Sequence, residues 1–136
     1  MRELFLENEV EVVKHIPAGL AQIKADGMQL REVLAILVTN AVQAMSDNAG
    51  PSGKKNVLTI KVGLERDWMK IEVSDTGKGM PANVLENLFT PFFTTKSRGL
   101  GLGLCISREI IKAHKGSIDV SSEVGAGSTF AIKLPL

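Results

Sequence analysis

The sequence predicts an α+β fold: a two-layer α/β sandwich whose mixed, mostly antiparallel sheet is covered on one face by three helices. Two stretches, Asp26 to Ser46 and Leu102 to Ala113, space their apolar residues at a helical period. Two pairs of alternating stretches, 57–64 with 70–74 and 116–122 with 128–134, flank short polar turns and read as hairpins. Helices interrupt neighbours that are mostly antiparallel, the pattern of a sheet with helices on one face.

The elements follow in order, about six strands and three helices. Glu9 to His15 (EVEVVKH) alternates loosely and reads as a strand, and Ala21 to Ala25 as a short second one. Asp26 is an N-cap residue type with Gln29 three positions on as a capping-box partner, so the first helix starts there. Leu30, Val33, Leu34, Leu37, Val38, Ala41, Ala44 and Met45 give it an apolar stripe. Ser46 to Asn56 holds two glycines and a proline among polar residues and reads as a loop. The first hairpin turns at Glu65-Arg66-Asp67, and Asp75 to Met80 (DTGKGM) is a glycine turn. Pro81 opens a short helix to about Leu88. Leu102, Ile106, Ile110 and Ala113 mark the last helix, closed by basic residues and Gly116.

At 136 residues the chain is one domain with room for a real core. An apolar share of 44% beside 23% charged residues is that of a soluble globular protein. The net charge of +1 offers no overall field for nucleic acid or an anionic membrane. The longest apolar run, Val33 to Val38, is too short to span a bilayer, and MRELFLENEV has no signal-peptide core. A single cysteine, Cys105, excludes an internal disulfide and suits a reducing compartment. A cytoplasmic, monomeric domain with no nucleic-acid partner is expected, in a parent protein that a membrane could anchor.

Two familiar phosphate motifs are excluded. Gly99, Gly101 and Gly103 alternate and follow no strand, unlike a dinucleotide fingerprint. The pair Gly53-Lys54 has Asn48 where a Walker loop needs its first glycine and Lys55 where it needs Ser or Thr. Three other features carry chemistry. Asn40 shares the core-facing side of its helix with Leu37 and Val33. Its amide either bonds neighbouring backbone or offers an oxygen to a hard cation such as magnesium. Asp75 ends an apolar strand before Gly77 and Gly79; it is either a turn aspartate or an acceptor for an amino group such as that of adenine. PFFTTKSRGLGLGL supplies Thr94, Thr95, Lys96 and Arg98, then glycines that run into a helix N-terminus, where anions bind. Phe92 and Phe93 are expected to anchor that stretch or to form a docking patch.

In this order the motifs resemble the catalytic ATP-binding domain of sensor histidine kinases, of the Bergerat ATPase type shared with gyrase, MutL and a heat-shock chaperone. LREVLAILVTNAVQAM is similar to the N box, DTGKGM to the first glycine box, LFTPFFTTK to the F box and GLGLGL to the second glycine box. GAGSTFAIKLPL resembles the family's last hairpin, and the likeness runs from about Glu9 to Leu136. It implies that residues 1–136 form one catalytic domain, with an ATP lid at about 89–103. It further implies that Asn40 bridges magnesium and the phosphates, and that Asp75 reads the adenine amino group in a pocket shaped by Gly77, Lys78, Gly79 and Met80. Thr129 would support adenine recognition. Gln43 and Ala44 on the N-box helix would line the site, as would Phe93, Thr94, Thr95, Lys96, Arg98, Gly99, Leu100, Gly101, Leu102, Gly103 and Leu104 from the lid and the glycine box. No residue is assigned as catalytic; Asn40 and Lys96 are the supporting candidates.

Two positions depart from the family pattern. Ile36 stands where a second asparagine is usual, and where hydrolytic relatives carry a water-activating glutamate; isoleucine is no general base. Gln43 stands where many kinases place a lysine, which shifts phosphate charge to Lys96 or Arg98. Neither His15 nor His114 has a phosphoacceptor context; His114 reads as a surface residue near a helix C-terminus, where a cation is favoured. The resemblance therefore implies that Mg-ATP donates its γ-phosphoryl group to a histidine on a separate dimerisation domain of the same parent protein. That domain is expected to be absent from this chain, and a response regulator to act downstream. The alternatives are an anti-sigma-type serine kinase and a non-catalytic module that senses ATP.

Overall fold

The structure, a computed structural model, describes residues 10–16, 26–46, 55–92 and 102–136. Strand β1 (Val10–His15) precedes helix α1 (Gly27–Ser46). Strands β2 (Asn56–Glu65) and β3 (Trp68–Asp75) form a hairpin, followed by the single turn of helix α2 (Ala82–Leu85). Helix α3 (Gly103–Ala113) leads into the hairpin of β4 (Ser117–Glu123) and β5 (Gly127–Pro135). The five strands form one sheet in the order β1-β2-β3-β5-β4. The pair β1 and β2, which flanks α1 in sequence, is parallel, as a helical crossover permits. The other three pairs are antiparallel. The expected strand at 21–25 lies outside the described residues.

Strand register decides which side chains enter the core. Met69 faces Leu134, Ile71 faces Ile132 and Val73 faces Phe130 across the ladder, so these residues share one face. That face meets Val33, Leu37, Val38, Ala41 and Met45 of α1 and Ile110 and Ile111 of α3. Burying each such side chain contributes about 1.5–3 kcal/mol. The opposite face is charged: Lys70 lies 3.6 Å from Glu65 and 3.7 Å from Glu72, and Lys133 lies 3.9 Å from Glu65.

The helix ends are chemically defined. Asp26 caps α1 as expected, its Oδ1 accepting from the amides of Met28 (3.0 Å) and Gln29 (3.1 Å). Helix α3 ends in a Schellman motif, with Gly116 N–H bonded to Ile111 O and Lys115 N–H to Lys112 O, both at 2.9 Å. The left-handed residue is Lys115 at φ 61°, not the expected Gly116. Gly116 is needed for another reason, since a Cβ there would overlap the carbonyl of Lys133.

The buried face of α3 also differs from expectation. Ile106 is 40% exposed and Ala113 is exposed, whereas Ser107 is fully buried beside Ile110 and Ile111. Ser107 tolerates this because its hydroxyl donates to Gly103 O at 3.0 Å, which satisfies the polar group within the helix. Helix α2 stops at Leu85, short of Leu88; the chain continues in turns closed by Leu88 N–H to Leu85 O and Thr90 N–H to Asn87 O.

Candidate functional site

Asp75 ends β3 at the edge of the core and is 7% exposed. Its Oδ1 accepts the Gly77 amide at 2.8 Å, so the carboxylate starts the turn that follows it. An ionised carboxylate has two oxygens and acceptor sites for several donors. Beside it, Thr76 locks the strand end by accepting Val57 N–H at 3.0 Å and donating to Lys55 O at 2.8 Å.

The glycines of DTGKGM are required by what surrounds them. A Cβ on Gly77 would sit 2.8 Å from Ala44 O and 2.9 Å from Ala44 Cβ, against α1. Gly79 adopts φ 71°, and a Cβ there would overlap the Glu123 carbonyl at the β4–β5 turn. The turn is therefore clamped from both sides. Lys78 N–H bonds to Ala44 O (3.4 Å), one of the helix-end carbonyls without an intrahelical partner, while Lys78 O accepts Gly125 N–H (2.8 Å). Met80 N–H donates to Ser122 Oγ at 2.8 Å, and Ser122 in turn donates to Gly127 O at 3.0 Å.

One row of α1 joins this turn to the start of α3. Ile36, Asn40 and Ala44 are four residues apart and share a helix face. Ala44 touches the glycine turn at one end. At the other, Ile36 Cγ2 would lie 3.2 Å from a Cβ on Gly103, so α3 begins against Ile36. Eight residues of helix span about 12 Å, and Asn40 stands midway. Leu102, at the N-cap position of α3, makes no side-chain cap bond to the amides of the first turn.

The expected site residues fall into three groups. Asn40, Ala44, Asp75, Gly77, Gly79, Met80 and Gly103 lie along this row and its two ends, with Leu102 and Leu104 half-buried beside Gly103. Gln43 and Lys78 are exposed at its rim. The lid residues Phe93, Thr94, Thr95, Lys96, Arg98, Gly99, Leu100 and Gly101 lie outside the described residues.

Thr129 lies on the other face of β5 from Ser128. It pairs with Ser74, and their hydroxyls are 2.9 Å apart on the sheet face away from the helices. Ser128 is the residue opposite Asp75, buried and 2.7 Å from Ser122 Oγ. The alternation of a strand is the cause: one step along β5 exchanges the faces. A cleft of about 340 Å³ at this end of the sheet is lined by Asp75, Ser122, Gly127, Ser128 and Thr129 among others. Phe92 is 72% exposed with φ 67°, as a docking patch rather than an anchor would be. Among the described residues of this segment Phe89 packs, half-buried under the Arg108 guanidinium at 5.2 Å. Ser122, Gly127 and Ser128 are absent from the expected site; GAGST, with turn glycines before two hydroxyl residues, marks Gly127 and Ser128, while no local signal marks Ser122.

Comparison with known proteins identifies the family. The profile of the histidine kinase-, DNA gyrase B- and HSP90-like ATPase family matches residues 25–136. The sensor histidine kinase ZraS of Escherichia coli K12 is 41% identical over 117 residues, covering 86% of this chain and 24% of that protein. The sensor protein FixL of Bradyrhizobium diazoefficiens is 38% identical over 129 residues, covering 95% of this chain and 25% of its own length. The chain thus spans about a quarter of these curated relatives. Among solved structures, the catalytic domain of histidine kinase ThkA superposes with a TM-score of 0.77 at 28% identity, over 98% of this chain and 88% of that one. Full-length ShkA in complex with AMPPNP gives 0.78 at 26% identity, over 98% of this chain and 27% of ShkA. With the profile covering the Asp26 cap, the Asn40 row, the Asp75 turn and the final hairpin, the chain belongs to the histidine kinase-, DNA gyrase B- and HSP90-like ATPase family.

Proposed function

We propose that this chain is the catalytic domain of a sensor histidine kinase, which binds Mg-ATP and donates the γ-phosphoryl group to a histidine on a separate dimerisation domain of its parent protein. A response regulator then receives the phosphoryl group. The observation that carries the reading is the Ile36–Asn40–Ala44 row, which joins a buried carboxylate at one end to an uncapped helix start at the other. Asp75 accepts the adenine amino group at the closed end. The first-turn amides of α3 face the phosphates, where helix N-termini favour anions. Ser128, rather than Thr129, is the hydroxyl that supports the base.

Asn40 suits magnesium, whose ligands are oxygens and which takes most of its shell from water and nucleotide phosphates rather than from a protein cage. The absence of any three-residue His/Cys/Asp/Glu cluster among the described residues agrees with that kind of site. The ion would supply charge neutralisation at the transferring group. In the transfer, a neutral imidazole nitrogen forms the new bond to the γ-phosphorus, the bond to the bridging oxygen breaks, and ADP leaves with that electron pair. The domain contributes position and electrostatics, which is most of what phosphoryl transfer needs.

Incubation with γ-labelled ATP, a histidine-bearing helical hairpin and a serine-bearing acceptor tests the proposal. Acid-labile label on the hairpin supports it, and label on serine would replace it by a serine kinase. Ile36 favours one second reading, an ATP-sensing module without transfer; nucleotide binding with label on neither acceptor would establish that.

A further inference from the structure

We propose that His114 is a positioning residue for the nucleotide site, holding α3 at one axial position along α1 and thereby placing Gly103 against Ile36, one helical turn from Asn40. The proposal rests on the reading of that row as the ATP site. The Asp26 backbone N–H donates to His114 Nε2 at 2.9 Å, and His114 Nδ1 lies 2.8 Å from Ile110 O. An amide can only donate and a carbonyl can only accept. The ring is therefore the neutral tautomer with its proton on Nδ1.

The imidazole thus joins two backbone groups, one in the cap of α1 and one in the last turns of α3, through a rigid ring. At the other end the same two helices meet where Ile36 packs on Gly103. Ten residues from Asp26 to Ile36 rise about 15 Å, and eleven from Gly103 to His114 about 16 Å. The two contacts are therefore matched ends of one antiparallel helix pair. Sliding α3 along α1 would break the Asp26 bond as it moved Gly103 away from Asn40.

Two substitutions separate the halves of the clasp. Glutamine places its carboxamide as many bonds from Cα as Nε2, so His114→Gln keeps an acceptor for Asp26. Asparagine ends at the level of Nδ1, so His114→Asn keeps only the Ile110 bond. In the 136-residue chain, calorimetry should show His114→Asn binding ATP about three- to tenfold more weakly, the worth of one net hydrogen bond. His114→Gln should stay within about twofold of the parent. Adenosine, which engages only the Asp75 end, should bind the parent and both variants alike. Equal ATP affinities for Asn and Gln variants, or parallel losses of ATP and adenosine, would overturn the positioning role. A parent chain that binds neither ligand would overturn the ATP reading itself. In the first case, ¹⁵N spectra showing an unprotonated Nε2 would still report the clasp, which separates the two failures.

Discussion

Ser128 stands opposite Asp75 across the β3–β5 ladder, while its neighbour Thr129 stands opposite Ser74, so the two adjacent hydroxyls lie on opposite faces of the sheet. Ser128→Ala should weaken ATP binding several-fold and cost about 1 kcal/mol of stability, because Ser122 loses a buried partner. Thr129→Ala loses only the Ser74 contact and should stay within about 0.5 kcal/mol with unchanged affinity. Calorimetry and urea denaturation of both variants decide the assignment; a loss confined to Thr129→Ala would reverse it.

Asp75→Asn separates fold from recognition. The asparagine oxygen can still accept the Gly77 amide, so the turn should form and the melting temperature should change little. Its NH2 group cannot accept from adenine, and a charge-assisted bond is worth about 1.5–3 kcal/mol. ATP affinity should therefore fall roughly tenfold to a hundredfold, with preference for ATP over GTP reduced. Unchanged ATP binding would refute the role of Asp75.

Gly77→Ala and Gly79→Ala should fail for different reasons. At Gly77 the methyl group meets Ala44 backbone 2.8 Å away, so the turn must leave α1. At Gly79 a φ of 71° adds backbone strain to an overlap with Glu123. Each should cost about 1–3 kcal/mol in denaturant titrations, Gly79→Ala the more. Gly63→Ala, with nothing within 4 Å and no positive φ, is the control expected to be nearly silent.

Ile36→Asn puts an oxygen ligand beside Asn40 at the cost of an apolar contact on Gly103. Stability should drop by about 1 kcal/mol, since the side chain is only half-buried. Magnesium-dependent ATP affinity should rise, by up to about tenfold for one added charge-assisted contact. The parent chain, with no base at position 36, should hydrolyse ATP far more slowly than dedicated ATPases. Brisk turnover by the parent, or magnesium binding indifferent to the substitution, would remove Ile36 from the account.

Much of the fold was legible because its signals are local. Asp26 announces a cap, Val33, Leu37, Ala41 and Met45 announce a helix face, and the hairpin alternations survive into the ladder with their register. The differences have tertiary causes. In α3 the apolar period runs through Ile106 and Ala113, yet Ser107 takes the buried place because its hydroxyl is satisfied on Gly103 O. Only the ladder says that Ser128 and not its neighbour Thr129 shares a face with Asp75.

The sequence by itself determined the element types, the glycine turn after Asp75 and the placement of Asn40 on an apolar helix face, since periodicity and turn chemistry act over a few residues. Tertiary structure alone decided what each of these residues meets. Gly77 must be glycine because Ala44 lies against it, Ile36 matters because α3 starts on it, and His114 matters because an amide from another helix points at its ring. The three contacts, Gly77 with Ala44, Gly103 with Ile36 and His114 with Asp26, join residues 33, 67 and 88 positions apart in the chain, beyond the reach of any local pattern.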